Sequence, residues 1–122
     1  MKRIIIISLL FFALCSCNKD KELLEEIYDE PGYAIGKLTS KTTVASVLNY
    51  HYEYKVGNNT YKGKKKGGVS IFNDGHRVGL QFLVVYKISE PEKSDLNFRY
   101  LIKDEQDFLD LLEKFKTNPP KP

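Results

Sequence analysis

Histidines, acids and cysteines are the residues of this chain whose types and spacing could carry chemistry. His76 follows Asp74 within a predicted turn, so an imidazole and a carboxylate lie close along the chain. A general base needs such a pair beside a nucleophile, and no ordered triad signature accompanies this one. His51 alternates with tyrosines on a predicted strand, and no second metal ligand stands at a suitable spacing. We therefore predict no enzyme, no metal site and no cofactor, with a small hydrolase using His76 and Asp74 as a disfavoured alternative.

The amino terminus places a cysteine at the end of a short apolar segment. A positively charged start precedes an apolar run over residues 4–14, which as a helix covers about 16 Å against about 30 Å for a bilayer core. This is typical of a removable signal peptide, predicted over residues 1–16. The run ends in Leu14-Cys15-Ser16-Cys17, which resembles the lipobox of bacterial lipoproteins. The resemblance implies cleavage before Cys17 and acylation of Cys17 by diacylglycerol and a fatty acid such as palmitate. An ordinary secretory signal with incidental cysteines is the alternative.

The same resemblance bears on location. Two or three acyl chains make release from a membrane very slow, whereas one chain gives only marginal binding. Asn18 stands where an aspartate commonly retains lipoproteins at the inner membrane, so the expected location is the outer membrane. Residues 18–22 also resemble the charged tract that sends some Gram-negative lipoproteins to the cell surface, with a periplasmic tether as the alternative. Once Cys15 is removed and Cys17 is acylated, no thiol remains for a disulfide or a metal site.

Positive charge is concentrated in the middle of the chain. Loss of Lys2 and Arg3 with the signal lowers the formal net charge from +3 to +1, too little for a typical nucleic-acid-binding protein. Residues 33–88 nevertheless carry a formal charge of +7. The cluster consists of Lys62, Lys64, Lys65, Lys66 and Arg77. It could contact an anionic lipid, an acidic glycan or an acidic envelope protein. The interpretation we favour is a lysine-guarded hairpin edge that blocks pairing between sheets.

A tyrosine ladder follows from strict alternation in one predicted strand. Tyr50, Tyr52 and Tyr54 share one face of residues 47–56, and the other face carries His51, Glu53 and Lys55. Tyrosine combines an apolar ring with a polar tip, so the ladder is a candidate binding face for a sugar or a peptide. The same residues pack well across strands inside a small barrel. We favour packing.

The elements that position these residues are mainly strands. Predicted strands cover residues 33–40, 47–56, 60–65, 69–72, 78–88 and 96–102. Turns are predicted at residues 57–59, 67–68 and 73–75, and a loop at residues 89–94. Alternation with polar residues argues against a parallel sheet. The expected fold is α+β and mainly β: a small curled antiparallel sheet or open barrel of five to six strands with a C-terminal helix.

Two helical segments flank the strands. Residues 17–32 are predicted to be a lipid-anchored acidic tether, and residues 18–32 carry a formal charge of −4. Its apolar helical face is formed by Leu23, Leu24, Ile27 and Tyr28. That face is expected to pack on the protein's own domain, with a partner-binding helix as the alternative. The second helix follows a predicted N-cap at Asp104. Its apolar stripe is formed by Phe108, Leu111, Leu112 and Phe115. The β-domain with this helix is predicted over residues 33–118 and a tail over residues 119–122.

The order of short motifs over residues 33–96 resembles a group of small bacterial lipoproteins of unknown function. The motifs are Ile35-Gly36, Tyr52-Glu53-Tyr54, Tyr61-Lys62-Gly63, an apolar strand from Val78-Gly79 to Val85-Tyr86, and Glu90-Pro91. The group has no established activity, so the resemblance implies only a fold and an anchor.

These features together predict a function class. We expect a non-enzymatic, lipid-anchored binding or assembly accessory at the outer membrane. Its partners would be the membrane, through the lipid anchor, and an envelope protein or an anionic lipid or glycan, but not nucleic acid. The alternative is an effector-neutralising lipoprotein, either an immunity protein or an inhibitor.

Overall fold

The computed structural model of the protein describes residues 20–45, 47–69 and 78–122. The elements in these ranges are helix α1 (20–29), strands β1 (Pro31–Val44), β2 (Val47–Val56), β3 (Asn59–Val69), β4 (Gln81–Lys87) and β5 (Glu90–Leu101), and helix α2 (Glu105–Phe115). The five described strands form one antiparallel sheet in the order β3-β2-β1-β4-β5, which is not closed. The predicted α+β, mainly β fold with a C-terminal helix is therefore confirmed.

The sheet curls, because its ladders are interrupted by irregularities. Register shifts occur between Leu38 and Ser40 in β1, and again in the pairings of β2 with β3 and of β4 with β5. Such bulges bend a strand and increase its twist. The two outer strands, β3 and β5, consequently approach each other side by side. The sheet thus has a concave face, turned inward, and a convex face, turned outward.

Each face carries its own core. The buried residues of the concave core are Ala34, Leu38, Leu48, Tyr50, Tyr52, Tyr54, Phe82, Val84 and Leu96. The buried residues of the second core are Ile27, Leu83, Val85, Ile102 and Phe115, which join the convex face of β4 to both helices. Strand β4 therefore buries both its faces, in keeping with its run of consecutive apolar residues from Phe82 to Val85.

Two expectations about strand boundaries were wrong. The segment 89–94 was expected to be a loop, but β5 begins at Glu90 and includes Pro91. A proline has no N–H to give to a ladder, and β5 accommodates it because it is an edge strand. Residues 67–68 were expected to turn, but β3 continues to Val69, whose Cα is paired with that of Val47. The predicted strand 69–72 lies mostly outside the described residues, and the turn at residues 73–75 lies wholly outside them.

Helix α1 packs on the domain instead of extending from it as a separate tether. Ile27 is completely buried against the second core, and Tyr28 packs partly against it. The ordered domain therefore begins before residue 33. The tail also packs, since Pro120 is buried and the Lys121 carbonyl accepts a hydrogen bond of 2.9 Å from Asn97 Nδ2. No helix in the described ranges is long and apolar enough to cross a bilayer.

Helix α2 begins as its sequence predicts. The Asp104 carboxylate accepts a 2.8 Å hydrogen bond from the Asp107 backbone N–H, and the Asp107 carboxylate accepts one of 3.0 Å from Lys103 N. The side chains of Phe108, Leu111 and Phe115 then pack toward the sheet. The two helices together cover the convex face over β4 and the beginning of β1.

The docking of α1 can be tested by shortening its buried side chain. Ile27→Ala should lower the free energy of unfolding by about 2–5 kcal/mol, because it leaves a cavity in the second core. Leu23→Ala on the same helix is the control, since Leu23 is 38% exposed and its loss should cost no more than about 0.5 kcal/mol. Urea denaturation of both variants measures the difference. Equal midpoints would mean that α1 does not pack on the domain.

Candidate functional site

The tyrosine ladder lies inside the curled sheet. Tyr50, Tyr52 and Tyr54 are exposed by only 0%, 1% and 2%, so their rings belong to the concave core and do not form an exposed face for a sugar or a peptide. Their burial follows from their position. They stand at every second position of β2, an inner strand, so their side chains all point to the same, concave side of the sheet. The packing interpretation accounts for all three rings.

The hydroxyls of the ladder reach the opposite edge of the sheet. Tyr52 Oη lies 2.8 Å from Ser94 Oγ, and Tyr54 Oη donates a 2.6 Å hydrogen bond to the Pro91 carbonyl. Both partners belong to β5, which is separated from β2 in the sheet by β1 and β4. Burial raises the pKa of Tyr52 and of Tyr54 above the ordinary tyrosine value of 10.0. The neutral hydroxyls thus connect β2 to β5 across the interior of the curled sheet.

One glycine in the lysine-rich strand makes room for this arrangement. Gly63 is paired with Tyr52, and a Cβ at Gly63 would collide with the Tyr52 ring. The absence of a side chain lets the ring lie over the backbone of β3 and extend toward Ser94.

Lys65 differs from its neighbours on β3, because it takes part in a polar seam between β3 and β5. Its ammonium donates a 2.8 Å hydrogen bond to Asp95 Oδ1 and lies 5.8 Å from the centroid of the Phe98 ring. The other carboxylate oxygen of Asp95 accepts a 2.6 Å hydrogen bond from Tyr28 Oη. The side chains of Lys65 and Asp95 are only 29% and 8% exposed. One carboxylate therefore joins β3, β5 and helix α1.

Asn97 completes the polar seam. Its Nδ2 donates to Tyr28 Oη at 3.1 Å as well as to the Lys121 carbonyl, and its Oδ1 accepts from Arg99 N at 3.0 Å. Burial, followed by the Asp95 hydrogen bond, raises the pKa of Tyr28 far above its usual value, so this hydroxyl stays neutral. Within the described ranges, every buried side-chain nitrogen and oxygen atom has a hydrogen-bond partner. Such a network is stabilising only when it is fully satisfied, which this one is.

A second set of polar contacts holds α1 to the turn between β4 and β5. The Glu26 carboxylate lies 3.2 Å from Lys93 Nζ and 3.7 Å from Lys87 Nζ. The hydrogen bond from Lys93 is the main reason that the pKa of Glu26 is lowered. Glu30 Oε1 accepts a 2.7 Å hydrogen bond from Ser89 N, and the hydrogen bonds from Ser89, first from its side chain and then from its backbone, lower the pKa of Glu30. Helix α1 is thus bound along its length and at its end.

The exposed lysines lie on the part of the convex face that the helices leave uncovered. This lysine face consists of Lys37, Lys55, Lys62, Lys64 and Lys66, all exposed. Cross-strand pairing places Lys37 and Lys62 on either side of Glu53, and Lys64 beside His51. Glu53 is the single acid in this array, and it forms a loose 3.8 Å ion pair with Lys62.

Three of the five predicted cluster residues therefore share a surface. Lys65 does not belong to it, because its side chain turns toward the seam. Lys37 and Lys55 were missed, although a signal existed: Lys55 lies on the face of β2 opposite the tyrosines. Arg77 lies outside the described residues, as do Cys17, Asp74 and His76.

An open groove of about 670 Å³ adjoins the lysine face. Its apolar side chains are Tyr33, Ile35 and Phe108, and Lys37 and Lys55 stand beside two acids, Glu53 and Glu105. Its charges are therefore balanced. Nearby, the imidazole Nε2 of His51 lies 3.0 Å from Thr42 Oγ1. The described ranges hold no group of three side chains suited to bind a metal ion.

No family model, curated protein or solved structure matches the chain. Its function is therefore argued from the contacts and charges of its own residues.

The polar seam can be tested at Lys65. Lys65→Met should cost about 2 kcal/mol of unfolding free energy, because it leaves the largely buried Asp95 carboxylate without its cation. Lys64→Met on the exposed face of the same strand is the control and should change stability by about 0.5 kcal/mol at most. The double variant Lys65→Met, Asp95→Asn should lose less unfolding free energy than the sum of the losses of the two single variants, all measured by denaturation. Fully additive losses would show that the two groups do not interact.

The buried tyrosines predict a loss of stability in alkali. Their raised pKa values mean that the stability from the neutral hydroxyls is fully present below pH 10.0, the ordinary tyrosine pKa, and is lost as the pH rises through the folded values. Denaturation at increasing pH, with tyrosinate absorbance followed in parallel, should show buried tyrosines ionising together with unfolding. Tyr52→Phe cannot ionise at that position and should show a smaller alkaline loss. Ionisation of all eight tyrosines near pH 10.0 without unfolding would contradict the burial.

Proposed function

We propose that this protein is a lipid-anchored, non-enzymatic accessory of the cell envelope, located at the outer membrane, that binds its partners through the β-domain. The observation that carries the proposal is the sequence Leu14-Cys15-Ser16-Cys17 after a short apolar run. Only a thiol can form the thioether of a lipoprotein, and Cys17 is the cysteine at the position that the lipobox requires.

The position of helix α1 supports an anchored role. Two residues lie between Cys17 and residue 20, where the described helix begins, and the three steps along the chain reach no further than about 10 Å. Ile27, Tyr28 and Glu26 hold that helix to the domain. An acyl chain on Cys17 would therefore keep the β-domain close to the membrane surface, because a docked helix allows less reach than a flexible tether of the same length.

The charge distribution supports a binding role. Helix α1 carries a formal charge of −4 and helix α2 one of −3, whereas the lysine face with Glu53 carries +4. A surface whose only task is solubility mixes both signs. Separation of the two signs onto different parts of the surface favours one orientation toward a charged partner.

The anchor is tested by acyl labelling of two cysteine variants in cells. Cys17→Ala should abolish incorporation of labelled palmitate and release the protein from the membrane fraction. Cys15→Ala is the matched control, since alanine keeps a small residue within the lipobox, and it should be labelled and anchored normally. A labelled, membrane-bound Cys17→Ala protein would contradict the proposal.

The binding role is tested by cross-linking the native protein in cells and identifying its products by mass spectrometry. A cross-linked envelope protein is the expected result for an assembly accessory. A secreted effector that is cross-linked instead, with a deletion strain sensitive to it, would favour the effector-neutralising alternative.

A further inference from the structure

We propose that the lysine face, formed by Lys37, Lys55, Lys62, Lys64 and Lys66, is a docking surface for anionic lipid headgroups. The inference deepens the proposed function and depends on it for the nearby membrane. The chemistry recognised is that of phosphate groups spread over a surface.

Protection of a sheet edge does not account for all of this face. Lysines on an edge strand prevent pairing with another chain, and this explains Lys62, Lys64 and Lys66 on β3. Lys37 and Lys55 lie on β1 and β2, which are paired on both sides and need no such protection. The positive charge thus extends from the edge over the inner strands.

The positive charge of the lysine face is only partly balanced within the described residues. Lys62, Lys64 and Lys66 follow one another at alternate positions of one strand, and the acids beside the face are Glu53, opposite Lys62, and Glu105, in the groove next to Lys37 and Lys55. Lys37, Lys55, Lys64 and Lys66 have no carboxylate within ion-pair distance among the described residues. Proximity to phosphates would offset their mutual repulsion.

The kind of side chain favours a lipid surface over a protein. Lysine is depleted from protein interfaces, where arginine and aromatic residues are enriched. The five members of the face are all lysines, which are flexible point charges without the planar fork that arginine uses for specific carboxylate recognition. A convex array of point charges fits a diffuse anionic surface, to which each lysine contributes attraction.

The lysine face is also next to the helix that leads to the anchor. Lys65 stands between Lys64 and Lys66 on β3, and Asp95 joins it to Tyr28 of helix α1 by hydrogen bonds of 2.8 and 2.6 Å. The helix that follows the proposed anchor is therefore joined to the strand that carries three of the five lysines. The acidic charge of both helices favours rotation of the domain so that the lysine face, and not the helices, meets the anionic surface.

The proposal is tested by amine labelling of the full native protein bound to vesicles. One set of vesicles contains phosphatidylcholine alone, and the other an equal mixture of phosphatidylcholine and phosphatidylglycerol. Labelling of the five lysines, read by mass spectrometry, should fall severalfold in the anionic vesicles and recover at high salt. Lys103, Lys114 and Lys121 are exposed elsewhere on the domain and should be labelled equally in both.

A pair of matched variants makes the test specific. In Lys62→Gln, Lys64→Gln, Lys66→Gln, the remaining reporters Lys37 and Lys55 should lose their protection, because three of the five charges are gone. The control Lys103→Gln, Lys114→Gln, Lys121→Gln removes the same charge and should keep that protection.

The outcomes separate the two proposals. Equal labelling of the lysine face in the two vesicle compositions would overturn the docking surface. If the face is protected in the neutral vesicles as well, the docking surface is also overturned, and the partner of the face would be a second copy of the chain or another protein. Failure of the protein to associate with neutral vesicles would instead contradict the lipid anchor, and the labelling in anionic vesicles would still decide the lysine face.

Discussion

The Asp95 carboxylate is the group on which the arrangement of this domain depends. The described strands leave the sheet open at β3 and at β5, and no backbone ladder among them joins these two edges. Its closure rests on side chains: Lys65 reaches Asp95 from β3, and Tyr28 reaches it from helix α1. A buried carboxylate without partners would cost several kcal/mol of folding free energy, so Asp95 needs the hydrogen bonds from both Lys65 and Tyr28. The same carboxylate thus holds the two outer strands together and the helix docked.

The two faces of the sheet have different tasks because they have different neighbours. On β4 both faces are apolar, since the concave core lies on one side and the helices on the other. On β2 the concave side is buried, and from His51 to Lys55 its convex side carries polar residues of or beside the lysine face. The acidic helices and the lysine face therefore occupy different parts of the convex face. This separation follows from the topology and requires no special segment.

Local sequence patterns predicted the strands and helices whose bounds depend on residues close along the chain. The alternation in residues 47–56 predicts the bounds of β2, and Asp104 predicts the start of α2. Pro91 misled, because its tolerance in β5 depends on that strand being at an edge, a property of the whole sheet. Tyr28 and Asp95 stand 67 residues apart, so nothing local could connect them. The orientation of Lys65 toward the seam could not be predicted locally either, because it depends on the approach of β3 to β5.

A polar seam also explains why the open edges do not slip or pair elsewhere. An apolar contact between β3 and β5 would tolerate several registers, whereas Asp95 meets Lys65 and Tyr28 together in only one. A shift of one residue on β3 would turn Lys64 or Lys66 inward in place of Lys65, but it would also bring a lysine opposite Tyr52, whose ring leaves no room for a Cβ at the position of Gly63. Gly63 and the inward Lys65 together therefore fit one register, and in that register Lys62, Lys64 and Lys66 face outward. The division of one lysine run between these two roles follows from the alternation of side chains along β3.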